Sequence, residues 1–111
     1  MRRRKGPKDA RIVAVEAKPR VLYFSAEWCR PCVAFGPRVE AAAKAEGVEL
    51  VKIDVDDPPI EYKATAGKIR SVPTLVWVGD RPGAQRLVGA VNAEALRAWF
   101  KTGVEDAQRR D

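Results

Sequence analysis

Two side chains in this sequence can do covalent redox chemistry: Cys29 and Cys32, the only cysteines. Their three-residue separation lets one helical turn bring the sulfurs together and close a small disulfide ring with little backbone movement. Val21-Leu22-Tyr23-Phe24 leads into them as a short, buried-strand pattern, and a long amphipathic run follows. Trp28-Cys29-Arg30-Pro31-Cys32 therefore falls at a strand-to-helix junction. Cys29 is placed at a helix N-terminus, where unsatisfied N–H groups and the dipole favour an anion and lower a thiol pKa from about 8.5. Cys32 lies one turn along, inside the helix and less exposed. The implied reaction is thiol–disulfide exchange. Cys29 attacks a substrate disulfide, a mixed disulfide forms, and Cys32 attacks Cys29 to release the dithiol product. The competing readings are two inert thiols, or a zinc ion shared between two chains.

The elements that must position this pair can be read in order. Val21–Phe24 is the first strand. Val33, Phe35, Val39, Ala42 and Ala43 recur at helical spacing, with Pro37 as a kink inside the helix and Gly47 as its C′ stop. Glu49 to Val55 alternates as a second strand. Asp56-Asp57-Pro58-Pro59 reads as the capped start of a short helix through Ala66, ended by Gly67. Thr74 to Val78 is a third strand, residues 79–83 a hairpin connection, and Gln85 to Val88 a fourth strand. Asn92 caps a last helix that buries Leu96, Trp99 and Phe100 and is expected to stop at Gly103. Trp77 reads as core. The order from residue 20 is β-α-β-α-β-β-α, with the first two strands parallel and the last two antiparallel, an α/β mixed sheet with helices on its faces. Residues 11–17 fit either an edge strand, which their β-branched content favours, or a helix.

Composition excludes much else. At 111 residues the chain is one domain, 46% hydrophobic and 32% charged, as ordinary globular proteins are. It has no histidine, which rules out Ser-His-Asp and Cys-His catalysis and His-ligated metal sites. Two thiols fall short of the four ligands of a structural zinc site, so no metal is expected. The net charge of +6 is concentrated in residues 1–11, where Arg2, Arg3, Arg4, Lys5, Lys8 and Arg11 face Asp9 alone; the rest is nearly neutral. This basic stretch reads as a flexible arm, residues 12–103 as the domain, and 104–111 as a polar tail. No apolar h-region follows the arm and no run approaches the roughly 20 residues of a membrane helix, so a cytoplasmic protein without membrane contact is expected.

These motifs resemble the thioredoxin family. Ala26-Glu27-Trp28-Cys29-Arg30-Pro31-Cys32 is similar to its active-site segment, usually Trp-Cys-Gly-Pro-Cys. Pro37 matches its helix-kinking proline, Arg70-Ser71-Val72-Pro73-Thr74 its cis-proline loop, and Val88-Gly89-Ala90 a segment lining its substrate groove. The resemblance covers residues 20 to 103 and implies a thioredoxin fold with a shortened N-terminal portion. It implies Cys29 as nucleophile and Cys32 as resolving thiol, supported by Trp28, Arg30, Pro31 and a cis Pro73 packed against the disulfide. Trp28, Val72, Pro73, Gly89 and Ala90 would receive an extended client segment, with the Val72 backbone pairing to it by strand addition.

Three departures stand out. Arg30 replaces the usual glycine; a cation beside Cys29 stabilises the thiolate and should raise the reduction potential above the −270 mV or so of thioredoxin. Tyr23 stands where the family commonly has a buried aspartate that assists deprotonation of the resolving cysteine, and Lys52 aligns with that acid's buried lysine partner. Glu27 is a weaker candidate for relaying the proton. The segment before residue 20 is short for the family's first strand and helix.

The function expected is reduction of protein disulfides by a monomer. It requires no bound cofactor beyond the Cys29–Cys32 disulfide. Electrons come from outside, from a thioredoxin-reductase-like flavoenzyme or a low-molecular-weight thiol. Two alternatives differ in class: a disulfide oxidant or isomerase whose potential Arg30 raises, and a binding module tethered to a complex through the basic arm. That arm offers at most weak, salt-sensitive, non-specific contact with nucleic acid.

Overall fold

β1, Arg20–Ser25, is the central strand of the molecule because both of its faces are apolar. In the computed structural model, which describes residues 19–79 and 86–109, its alternating side chains feed two separate cores. Val21 and Tyr23 point to one side, Leu22 and Phe24 to the other, and all four are buried. A strand buried on both faces needs a layer on each, and the chain supplies them.

The first layer holds α1, Arg30–Ala45, and α3, Ala93–Arg109. Cys32, Phe35, Val39 and Ala43 form the buried row of α1. Val33, expected on that face, is 69% exposed. It lies two residues, about 200° of helical rotation, from Phe35 and so points outward. α1 ends in a Schellman motif: the Gly47 N–H donates to the Lys44 carbonyl and the Val48 N–H to the Ala43 carbonyl, with Gly47 at φ 70° as anticipated.

β2, Glu49–Asp54, runs parallel to β1 in a register from Arg20↔Glu49 to Ser25↔Asp54. The second layer follows. Its helix is shorter than expected: a 3₁₀ turn, Ile60–Tyr62, then α2, Lys63–Ala66. Neither Asp56 nor Asp57 caps it; Pro59 occupies the cap position without a side-chain bond. The Asp56 N–H donates instead to Asp54 Oδ1 at 2.9 Å, an Asx-type turn that ends β2. Gly67 does follow the helix, though at an ordinary φ of −65°.

β3, Thr74–Trp77, is antiparallel to β1, with Phe24↔Thr74 and Val21↔Trp77. β4, Leu87–Val88, is antiparallel to β3. The sheet order is β2-β1-β3-β4, so the mixed α/β sheet and both strand senses agree with the sequence reading. The basic arm, the strand-or-helix question at residues 11–17, most of the hairpin connection and Gln85 lie outside the described residues.

α3 departs most from expectation. Asn92 does cap it, its Oδ1 accepting from the Ala95 N–H at 2.8 Å and its carbonyl from the Leu96 N–H. Gly103 does not stop it. The helix continues to Arg109, so residues read as a polar tail are largely helical, and Asp106 is 7% exposed. A Cβ on Gly103 would collide with the Trp77 indole. The glycine is therefore a close-packing position, which in sequence looks the same as a terminator. Around it Trp77 stacks on Trp99 with centroids 5.2 Å apart, and Phe100 meets both rings edge-on.

Candidate active site

The parallel register of β1 and β2 brings their C-terminal ends together, and the site is built there. After Ser25 the chain turns through Ala26–Trp28, with the Cys29 N–H donating to the Ala26 carbonyl at 3.1 Å. Cys29 is the N-cap of α1, with extended φ/ψ of −92° and 102°, and its Sγ accepts the Cys32 N–H at 3.3 Å. A sulfur in this position satisfies one of the orphan donors of the helix start. Pro31, lacking an N–H, falls in the first turn where that loss is harmless. Arg30 and Pro31 are exposed.

Cys29 and Cys32 form a disulfide with Cα atoms 5.3 Å apart. Cys32 was expected to be the less exposed of the two, yet each is 5% exposed. Ala26, Val55 and Val72 pack around the pair. Cys29 Sγ lies 3.9 Å from the Val72 carbonyl oxygen, within reach for a reduced thiol to donate to it. The Val72–Pro73 bond is cis and Pro73 is buried. Thr74 Oγ1 donates to the Ser71 carbonyl at 2.7 Å and closes this turn. On its far side the Gly89 N–H donates to the Pro73 carbonyl at 2.9 Å, with Gly89 at φ 94° and Ala90 exposed beside it. Cys29, Val72, Pro73 and Gly89 are thus joined by direct contacts, and a φ of 94° is one that a side chain would strain.

Trp28 is 68% exposed, with its Nε1–H donating to Asp56 Oδ2 at 2.8 Å. Sequence reading did not place Asp56 here. The signal lay in the strand register, since the pairing of Ser25 with Asp54 sets the residues after each strand side by side, and the Val55 N–H reaches the Ser25 carbonyl. Glu27 is exposed in the same turn.

Tyr23 occupies the interior directly beneath the cysteines. It is 3% exposed, meets Phe35 edge-on, and its hydroxyl donates to the Cys32 carbonyl at 2.8 Å. Burial, aided by the charge of Glu40, pushes this phenol above its usual pKa of 10. Lys52 is no buried partner: its side chain is 61% exposed and pairs with Glu40 on the surface. With an uncharged phenol in the acid's place, a buried ammonium would have no counter-ion, and Lys52 turns outward. Among the described residues no group of three or more His, Cys, Asp or Glu side chains could hold a metal ion, and no helix is long and apolar enough to cross a membrane.

A disulfide facing a cis-proline turn is the arrangement the resemblance implied, and comparison with known proteins identifies the family. The family model Thioredoxin matches residues 8–102. The chain belongs to the thioredoxin family. Mitochondrial thioredoxin of Mus musculus is 35% identical over 101 residues, covering 86% of this chain and 58% of that protein. The chain thus spans little more than half the length of that relative. Thioredoxin of Mycolicibacterium smegmatis is 35% identical over 82 residues, 72% of this chain and 73% of that one. Among solved structures, a thioredoxin variant from Halobacterium salinarum superposes with a TM-score of 0.66 at 30% identity, covering 89% of this chain and 86% of the other. Fasciola hepatica thioredoxin gives 0.62 at 35% identity, with 82% and 88% covered. These likenesses establish the thioredoxin fold.

Proposed function

We propose that this chain is a thiol–disulfide oxidoreductase that reduces protein disulfides by dithiol exchange. One observation carries the reading: Cys29 sulfur caps α1 and faces the Val72 carbonyl across 3.9 Å, with Cys32 sulfur bound to it. In the reduced form the α1 N-terminus stabilises the Cys29 thiolate as nucleophile. Thiolate attack on a client disulfide forms a Cys29–client bond and expels one client thiolate. Cys32 then attacks Cys29, expels the second client thiolate and restores the disulfide, so two electrons pass to the client. Trp28, Val72, Pro73, Gly89 and Ala90 form the client surface, and Val72 offers its backbone to an extended segment. Arg30 and Pro31 support the turn.

No bound cofactor or metal enters this cycle. Reducing equivalents come from a thioredoxin-reductase-like flavoenzyme or a small thiol, and the protein works as a monomer in a reducing compartment such as the cytoplasm. The test is trapping. Pre-reduced and freed of reductant, then mixed with a disulfide-containing protein, Cys32→Ser should accumulate a mixed disulfide through Cys29, while Cys29→Ser should trap nothing and, with dithiothreitol supplied as donor, show no turnover. Equal trapping by both variants, or none by either, would overturn the assignment.

A second reading rests on Arg30, exposed at the first position of α1 next to the Cys29 sulfur. A cation there favours the reduced, thiolate form and moves the pair toward disulfide donation. The potential of the pair separates the two: near −270 mV is a reductase, near −200 mV or above a donor or isomerase.

A further inference from the structure

We infer that the Tyr23 hydroxyl is a positioning group for disulfide closure, holding the turn of α1 that carries Cys32 within reach of Cys29. The inference rests on the redox reading above. Tyr23 is centrally placed on β1, paired to Lys52 of β2 on one side and Leu75 of β3 on the other, so its backbone is fixed by two ladders. From that support its hydroxyl reaches across the core to the carbonyl of Cys32, nine residues along the chain, in a buried 2.8 Å bond. The ring is held sideways by Phe35 and fits against Gly36, where even an added Cβ would stand 3.8 Å away.

The turn it grips belongs to a helix that lacks two backbone donors. Pro31 and Pro37 both lie within α1 and contribute no N–H. Pro37 leaves the Val33 carbonyl without its partner one turn on. At the helix start the Cys32 N–H donates to Cys29 Sγ and to the Cys29 carbonyl. Opening the disulfide removes the covalent link between Cys29 and Cys32, whereas the Tyr23 bond involves only the Cys32 backbone and survives. In the dithiol it keeps the Cys32 sulfur near the closed geometry, raising the effective concentration of one thiol toward the other. The phenol serves by geometry, because its proton is committed to a carbonyl and burial raises its pKa further.

Tyr23→Phe keeps the ring and removes the bond. The equilibrium to measure is reduction by dithiothreitol, in which the Cys29–Cys32 bond breaks, two protons and two electrons are taken up, and the reagent becomes its cyclic disulfide. We expect closure in Tyr23→Phe to be about three- to tenfold less favourable, a potential about 15–30 mV less negative at 29.6 mV per tenfold. The thermodynamic cycle adds a check: the oxidised variant should lose more stability against urea than the reduced one, by a matching amount. An unchanged potential, with equal losses in both redox states, would make Tyr23 a packing residue and overturn the inference. If the wild-type pair itself failed to equilibrate with dithiothreitol, the redox reading would fall instead, so the two failures are distinct.

Discussion

Trp28 and Asp56 are joined indole to carboxylate across 2.8 Å, on adjoining loops that extend two parallel strands. An indole that is 68% exposed has little packing to fix it, so this charge-assisted bond sets its orientation over the site. Asp56→Ala should release the ring. The Trp28 Nε1–H resonance should move toward its solvent-exposed position, and KM for a protein client should rise about three- to fivefold, roughly 0.6–1 kcal/mol, with kcat little changed. An unaltered KM would remove Trp28 from the client surface.

Gly103 offers a sharper test of packing. Any side chain there meets the Trp77 indole, itself wedged between Trp99 and Phe100. Gly103→Ala should destabilise the fold by about 1–3 kcal/mol through overpacking, although alanine is the better helix former. A urea melt giving equal or higher stability would refute the close approach.

Arg30→Gly should make the potential of the cysteine pair more negative, by about 10–20 mV for an exposed charge in water. The shift should shrink as salt is added. Equilibration with dithiothreitol at two ionic strengths measures both effects, and an unmoved potential would dismiss the electrostatic role.

The burial of Tyr23 fixes an alkaline limit. Its pKa is raised above 10 on folding, so the native state holds the proton more tightly than the unfolded chain does. That stabilisation is complete below pH 10 and is lost as pH rises through the folded-state pKa. The oxidised wild type should therefore lose more stability than oxidised Tyr23→Phe between pH 9 and pH 11.5. Parallel urea midpoints across this range would place the phenol in contact with water.

What could be read from residues alone divides along physical lines. Local chemistry was legible: the thiols at a strand-to-helix junction, the Gly47 stop and the Asn92 cap each depend on neighbours close in sequence, while the cis-proline loop before Thr74 came from the family resemblance. Long-range relations were not. The Trp28–Asp56 bond follows from the register of two strands, and the Tyr23–Cys32 bond from the packing of α1 against β1. Gly103 imitates a helix terminator because a missing side chain suits a left-handed turn and a close ring contact equally well. Lys52 pairs with Glu40 on the surface because the charge that would hold it inside is absent. Val33 misled because helical periodicity fixes relative faces and leaves open which row meets the sheet.

The three tryptophans are distributed so that light can report on two events separately. Trp77 of β3 is stacked on Trp99 of α3, while Trp28 immediately precedes the reactive cysteine and is open to solvent. A disulfide quenches a neighbouring indole by accepting an electron from its excited state, so reduction should brighten Trp28 and leave the stacked pair unchanged. Emission can then follow each turnover in real time without a label, and a Trp28→Phe variant supplies the blank.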